Sequence, residues 1–220
     1  RFVPLWDEPS AKATFALEVV IPQGQAAYSN MPVASSAETN GKQVVRFATS
    51  PKMSSYLLHL TVGDLERISR KAAGVEIGIV TRKGAAEQGR VALDAAAEIL
   101  PWYNDYFGTS YPLPKLDMIA VPGTSQFFGA MENWGAIMYF EQALLMDPQI
   151  SSESDRLNIY DAVAHEMAHQ WFGNLVTMEW WDDLWLNEGY ATWMAEKAAS
   201  TLRSQWNVPL LTVKWPREFA

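Results

Sequence analysis

The sequence predicts an α+β fold, in which a β-rich first third is followed by strands and helices in succession. Two observations lead to this prediction. Up to about residue 70, apolar and β-branched runs alternate with turn-forming residues. Beyond that position, apolar residues recur at helical spacing in several longer segments. We therefore expect one domain within residues 1–73 and a second within residues 74–220, with the junction at residues 71–74.

The β-rich region has the composition of at least three strands. They are predicted at residues 15–21, 43–48 and 54–62, and turn signals such as Asn40-Gly41 and Ser50-Pro51 lie between them. His59 falls inside the third strand, among apolar neighbours. We interpret it as a structural residue and not as a metal ligand.

The second region begins with a strand at residues 75–81 and an Ala-rich helix at residues 85–100. Pro101 is expected to end or kink that helix, because proline cannot donate the helical hydrogen bond. A strand at residues 116–121 follows. The block from Gly129 to Gly135 is expected to form a strand that contains Glu132 and continues through residues 136–140.

A long helical pattern carries the most informative motif of the chain. It begins with the capping-box-like pair Ser152 and Asp155 and is predicted to end at Gly173. Within it stands His165-Glu166-Met167-Ala168-His169, an H-E-x-x-H sequence. Residues four apart lie on one face of a helix, so both imidazoles can bind one metal ion. Glu166, about 100° around the helix, is poorly placed as a ligand but suited to act as general base.

A catalytic zinc ion needs a third protein ligand and an open position. Glu188, which follows His169 by 19 residues, is the candidate carboxylate. It opens a further helical pattern that runs to about Leu202. An isolated H-E-x-x-H match has a real false-positive rate, but two of the three histidines of the chain lie in this motif. The sequence therefore predicts one Zn²⁺ per chain, bound by His165, His169 and Glu188.

Composition excludes some classes of function. The 220 residues carry a net charge of −8, and the sequence contains no basic patch of the kind that nucleic acids require. No apolar run approaches the length of a membrane span, and no leader-like segment precedes Arg1. Since there is no cysteine, thiolate ligands are excluded, while the cellular compartment and the oligomeric state stay open.

Three signatures together resemble the zinc aminopeptidases of the aminopeptidase N family, gluzincins that include the leukotriene-hydrolase type. They are Gly129-Ala130-Met131-Glu132-Asn133, the H-E-x-x-H motif with Glu188 at the family's spacing, and the segment from Trp171 to Thr177. The resemblance implies the end of a β-rich N-terminal domain, followed by the first part of a thermolysin-like catalytic domain. The chain is thus expected to be an internal piece, with the family's transition-state tyrosine beyond Ala220.

The resemblance also implies a substrate and the residues that contact it. Peptides with a free N-terminus would be the substrates, and Glu132 would bind their α-ammonium group. Gly129, Ala130, Met131 and Asn133 complete the implied substrate-binding set. Small residues at the start of this block permit close approach of an extended peptide.

Two other interpretations stay open at this point. A zinc endopeptidase of the thermolysin type shares the helix and the downstream Glu, although Glu132 in its block argues against it. Alternatively, the 220 residues are a catalytically incomplete fragment that acts as a binding or structural module. The residue preference and a second activity on an epoxide are not determined by these residues.

Overall fold

The computed structural model describes residues 3–125 and 128–206. Seven strands lie in the N-terminal part: β1 (Lys12–Ala13), β2 (Glu18–Pro22), β3 (Ala26–Ser29), β4 (Val33–Thr39), β5 (Lys42–Phe47), β6 (Met53–Ser54) and β7 (Leu60–Gly63). Five more strands follow: β8 (Leu65–Ala72), β9 (Val75–Arg82), β10 (Lys115–Val121), β11 (Ala130–Met131) and β12 (Ala136–Phe140). The α-helices are α1 (Arg90–Phe107), α2 (Glu141–Leu144), α3 (Glu153–His169) and α4 (Leu184–Leu202). This mixture confirms the predicted α+β class.

The N-terminal strands form three small antiparallel sheets. Their orders are β2-β5-β4, β3-β7 and β1-β6. The predicted strands at residues 15–21 and 43–48 correspond to β2 and β5. The strand predicted at residues 54–62 is instead divided into β6, a 3₁₀ turn at residues 55–57, and β7. That turn carries Tyr56 away from the sheets.

A five-stranded sheet forms the centre of the second region, in the order β11-β12-β10-β9-β8. The three inner strands are parallel, and each edge strand pairs antiparallel with its neighbour. The proposed domain junction at residues 73–74 falls in the turn between β8 and β9. The last strand before the junction is therefore an edge strand of the sheet that follows it.

Helix α1 packs on this sheet and against α3, and α3 packs against α4, so that these elements enclose the main core. Leu100 and Tyr103 of α1, together with Met167 of α3, lie in the same buried cluster as the sheet residues Ile77 and Met118. Within the described residues, no helix is both long and apolar enough to cross a membrane.

The helix does not end at Pro101, which was one of the two outcomes expected for this proline. A 3₁₀ turn at residues 86–89 leads into α1, which continues past Pro101 to Phe107. Leu100 and Tyr103, on either side of the proline, are completely buried, whereas Pro101 itself is exposed. Burial of apolar side chains on both sides thus outweighs the cost of about 3 kcal/mol for an internal proline.

The helix α3 begins as the sequence predicts but ends earlier. Ser152 and Asp155 form a complete capping box at its start. The helix ends at His169, four residues before Gly173, because the next amides turn back onto the last carbonyls: Gln170 N–H donates to Met167 O and Trp171 N–H donates to Ala168 O. Gly173 lies in the turn that follows, with a φ of 129° that favours glycine.

The strand predicted to contain Glu132 is also different. Only Ala130 and Met131 form the strand β11, and Glu132 is the first residue of the turn into β12. Asn133 N–H donates to Met131 O inside this turn. Glu132 therefore lies at a strand end, where a side chain can enter a cavity instead of alternating across a sheet.

Candidate metal centre and substrate cavity

The helix α3 brings the two motif histidines together. Nε2 of His165 and Nε2 of His169 are 3.1 Å apart. Nδ1 of His169 lies 3.0 Å from the carbonyl oxygen of Phe172, which can only accept a hydrogen bond, so Nδ1 carries the proton. In its neutral form the ring would therefore present a bare Nε2 lone pair to His165. Two such nitrogens facing each other need a shared cation or proton between them.

Glu188, on the second turn of α4, completes the group. Its Oε2 is 3.2 Å from Nε2 of His165 and 3.6 Å from Nε2 of His169. Zinc bonds of about 2.0–2.2 Å in a tetrahedral arrangement place neighbouring ligand atoms about 3.3–3.6 Å apart. The three ligand atoms of this chain lie 3.1, 3.2 and 3.6 Å apart, close to that spacing, and the donor set of two imidazoles and one carboxylate suits zinc. The residues present therefore fit the metal that the sequence predicts.

The electrostatics of the ligand group also favour a cation. Burial lowers the pKa of His169, but its hydrogen bond to Glu188 and the charges of Glu132 and Glu166 outweigh burial and raise the pKa to about 9. Hydrogen bonds from His165 and His169 hold the pKa of the Glu188 carboxyl well below its usual range. Both pKa shifts indicate that positive charge is favoured between the two rings and the carboxylate.

Glu166, between the histidines, is buried but faces the cavity. Burial raises the pKa of its carboxyl to about 8, and the charges of Glu132 and Glu188 act in the same direction against that of His169. Its Oε2 has no hydrogen-bond partner among the residues that the structure describes. A carboxylate with a pKa near neutrality and an uncommitted oxygen has the properties of a general base.

The group opens into one large cavity of about 1400 Å³. Its walls come from distant parts of the chain: residues 3–5 and Asp7, the turn around Tyr56, the β11 segment, α3, Trp181 and the start of α4. All three candidate ligands and Glu166 line it. Such a cavity is large enough for a peptide segment beside the metal position.

Four of the five residues in the block from Gly129 to Asn133 reach this cavity. Gly129, Ala130, Met131 and Glu132 line it, and Glu132 is only 6% exposed. Because β11 is the outermost strand of its sheet, one of its backbone edges pairs with no strand within residues 3–125 and 128–206. The side chain of Asn133, in contrast, turns away from the cavity and donates from Nδ2 to Leu57 O at 3.3 Å.

Two buried amides hold Glu132 in place: Gln170, which the sequence analysis does not name, and Asn174, which it names only within the segment from Trp171 to Thr177. Gln170 Nε2 donates to Glu132 O at 3.2 Å, and Asn174 Nδ2 donates to the same oxygen at 2.8 Å. Gln170 also accepts from Gly135 N–H and donates to Glu166 O. Both amides belong to the segment that follows His169. Their only signal in the sequence is a polar residue inside an otherwise apolar pattern.

The histidine rings are oriented by contacts on their Nδ1 atoms. His169 Nδ1 contacts the backbone carbonyl of Phe172 at 3.0 Å, and His165 Nδ1 has Thr192 Oγ1 at 3.5 Å. A backbone carbonyl has no residue signature, so sequence analysis could not identify it.

His59 is held by local polar contacts in the N-terminal part. Its Nε2 lies 2.6 Å from Thr61 Oγ1, and its backbone N–H donates to Asn30. Burial lowers the pKa of His59 to about 4, so the ring is neutral at pH 7. It is absent from the His, Asp and Glu clusters of the described residues that could hold a metal ion.

Comparisons with known proteins find matches to both the N-terminal and the C-terminal part of the chain. The model of the peptidase family M1 domain matches residues 91–218, and that of the peptidase M1 N-terminal domain matches residues 1–57. The chain is 52% identical over 195 residues to an aminopeptidase N of Acetobacter pasteurianus, covering 88% of this chain and 55% of that protein. It is 47% identical to a probable aminopeptidase 2 of Sulfurisphaera tokodaii and 46% identical to a leucyl aminopeptidase of Saccharolobus solfataricus. Each of these two alignments covers 94% of this chain but 26% of the relative.

Proposed function

The chain belongs to peptidase family M1, and from this membership we propose that it carries the metal centre of a zinc aminopeptidase, which removes the N-terminal residue from peptides. The family resemblance predicted from the motifs is confirmed. The observation that carries the proposal is the convergence of His165, His169, Glu188, Glu166 and Glu132 on one cavity. Since the chain spans between about a quarter and a half of these relatives, the activity of the whole protein is part of the proposal.

We propose that His165, His169 and Glu188 hold one zinc ion. When bound, zinc would supply a Lewis acid that acidifies a water molecule and polarises the scissile carbonyl. The chain itself prepares the ligand atoms: Phe172 fixes the tautomer of His169, and the packing of α3 against α4 brings Glu188 to both rings.

Glu166 is proposed as the general base. It accepts a proton from the attacking water and returns a proton to the leaving amine. The raised pKa of its carboxyl, about 8, suits a group that must both take up and release a proton near neutral pH. Glu166 lines the cavity, and its buried Oε2 has no hydrogen-bond partner among the described residues, which supports a role as acceptor for that water.

Glu132 is proposed to bind the α-ammonium group of the substrate. A buried carboxylate at a cavity wall strongly favours a cationic partner, because an isolated charge is costly to bury. The free edge of β11 supports the further proposal that the substrate backbone pairs with Gly129 and Ala130 as an added strand. Asn133, which faces Leu57, would act by holding this segment and not by touching the peptide.

The division of the chain into residues 1–73 and 74–220 also stays a proposal. The shared sheet of β8 and β9 predicts that the two parts do not separate cleanly. Limited proteolysis should then yield no stable fragment that begins at residue 74.

Metal content and hydrolysis together test the proposed function. The chain should bind about one zinc ion, and it should hydrolyse leucine p-nitroanilide but not its N-acetylated counterpart. Cleavage of both compounds would indicate an endopeptidase-like site. Zinc binding without cleavage would mean that the 220 residues act as a binding module and need further parts of the protein.

The role of Glu166 is tested by Glu166→Gln, which keeps the size of the side chain but removes the base. We expect zinc binding to persist and turnover to fall by about 10²–10⁴-fold. Glu153→Gln, an exposed position on the same helix, is the matched control and should change neither quantity. Near-normal turnover in Glu166→Gln, or loss of zinc, would contradict the assignment.

A further inference from the structure

We propose that Tyr56, contributed by the β-rich N-terminal part, is a positioning residue for amine recognition. Its hydroxyl donates a hydrogen bond to the Glu132 carboxylate and orients that carboxylate toward the free amine of a substrate. The inference rests on the proposed function, because it assigns a supporting residue to the proposed amine site. Tyr56 lies 76 residues before Glu132 in the chain, and its sequence context indicates only a strand.

Tyr56 shares the cavity wall with the carboxylates of the site. It lines the cavity together with Glu132 and Glu188. The acceptor within reach of the hydroxyl in this structure is Gly173 O at 3.5 Å, at the limit of a hydrogen bond, while the Glu132 carboxylate lies on the same cavity wall, and burial together with its charge raises the pKa of the hydroxyl. Of these two acceptors, the carboxylate is the stronger one.

The backbone holds Tyr56 and Glu132 next to each other. Asn133, the residue after Glu132, donates from Nδ2 to the carbonyl of Leu57, the residue after Tyr56. Asn30 Nδ2 donates to the same carbonyl at 2.8 Å and also to Trp134 O at 2.9 Å. These buried hydrogen bonds join the 3₁₀ turn at residues 55–57 to the turn after β11, which limits how far the two side chains can separate.

The ring of Tyr56 is fixed independently of its hydroxyl. Its edge packs against Trp181, with ring centroids 4.9 Å apart and an interplanar angle of 62°. Trp181 Nε1 in turn donates to the Asp7 carbonyl at 2.7 Å. Removing only the oxygen should therefore leave the aromatic packing in place.

The chemistry of a phenol suits this position. Burial and the charges of Glu132 and Glu188 hold the pKa of Tyr56 far above its usual value, so the group stays protonated and acts as a donor. A neutral donor orients the carboxylate without cancelling its negative charge. A lysine or arginine at the same place would form an ion pair with Glu132 and compete with the substrate ammonium group.

The test is Tyr56→Phe in the full chain, with Tyr28→Phe as the matched control. Tyr28 belongs to the same N-terminal part but lines a separate cavity. L-leucinamide and N-acetyl-L-leucinamide are the probes, and their affinities are measured by calorimetry in the zinc-loaded and in the chelated chain. This binding measurement does not depend on turnover, and zinc content and the unfolding midpoint are recorded for each variant.

We expect Tyr56→Phe to weaken L-leucinamide binding by about tenfold, the usual effect of losing a hydrogen bond to a charged group. Affinity for the acetylated probe, zinc content and the unfolding midpoint should not change, and Tyr28→Phe should match the unmodified chain. Where turnover is measurable, KM should rise about tenfold while kcat changes little.

Three results would overturn the role of Tyr56. They are unchanged binding of L-leucinamide in Tyr56→Phe, an equal loss for both probes, and a loss of zinc or of stability that accounts for the weaker binding. If the unmodified chain itself does not distinguish the two probes, the proposed amine site fails first. If only the role of Tyr56 is wrong, the unmodified chain binds L-leucinamide more tightly than N-acetyl-L-leucinamide, and Tyr56→Phe shows the same difference. The two failures are therefore distinguishable.

Discussion

Replacing Gln170 by Met should destabilise the protein strongly, although the two side chains are similar in length. Gln170 is completely buried. Its Nε2 donates to Glu132 O and to Glu166 O, each at 3.2 Å, and its Oε1 accepts from Gly135 N–H at 3.2 Å. Methionine can fill the space but can make none of these three hydrogen bonds.

The expected loss follows from the groups that remain behind. Glu132 O keeps the hydrogen bond from Asn174, so losing the bond from Gln170 at this oxygen lowers the free energy of unfolding only slightly. Gly135 N–H and Glu166 O lose the side-chain partner described above. Each buried polar group without a partner costs about 1–3 kcal/mol, so Gln170→Met should lower the free energy of unfolding by about 2–5 kcal/mol.

Urea denaturation of the full chain measures this loss, with the free energy extrapolated linearly to zero denaturant. Gln149→Met is the control, because Gln149 is exposed, and it should change the free energy by less than about 0.5 kcal/mol. If Gln170→Met and the control differ by less than about 1 kcal/mol at an unchanged m-value, the buried amide does not stabilise the fold as argued here.

Three further predictions concern other parts of the molecule. Because the folded-state pKa of His59 is about 4, below the usual 6.5, the stability it contributes is complete above about pH 6.5 and is lost as the pH falls toward 4. Urea unfolding should then show that His59→Asn removes about 3 kcal/mol of the stability difference between pH 7 and pH 4. Pro101→Ala should raise the free energy of unfolding by about 2 kcal/mol, since it restores a helical hydrogen bond at an exposed site. A free energy of unfolding that is equal to or lower than that of the unmodified chain would contradict this account. Zinc at about 100 times its dissociation constant should stabilise the chain by about 2.7 kcal/mol in thermal or urea unfolding, and His169→Ala, unlike His59→Asn, should abolish this gain.

Much of the fold and part of the candidate site could be predicted from local patterns. The spacing of His165 and His169 on one helix indicates a shared face, because helix geometry depends only on positions in the sequence. The capping box at Ser152 and Asp155 is likewise local, and the structure has it as predicted. The α+β class follows from the change in periodicity along the chain. These features need no knowledge of what lies across the core.

Local rules failed where packing opposed them. Pro101 has a strong intrinsic tendency to end a helix, yet α1 continues because buried side chains on both sides hold it on the sheet. The strand expected around Glu132 is cut short because Asn133 and the residues after it turn toward the N-terminal part. In both places, contacts distant in sequence outweigh the local preference.

By itself, the sequence determined the α+β class, the family, and the proposed chemistry of the metal helix, because those depend on residue type and spacing along one element. Only the tertiary structure decided which residues surround that helix. Gln170 and Asn174 support Glu132 from about 40 residues away, and Tyr56, from the N-terminal part, lines the same cavity as this carboxylate. The physical reason is that a buried polar group must find a partner wherever the folded chain provides one, and the distance along the sequence does not enter that requirement.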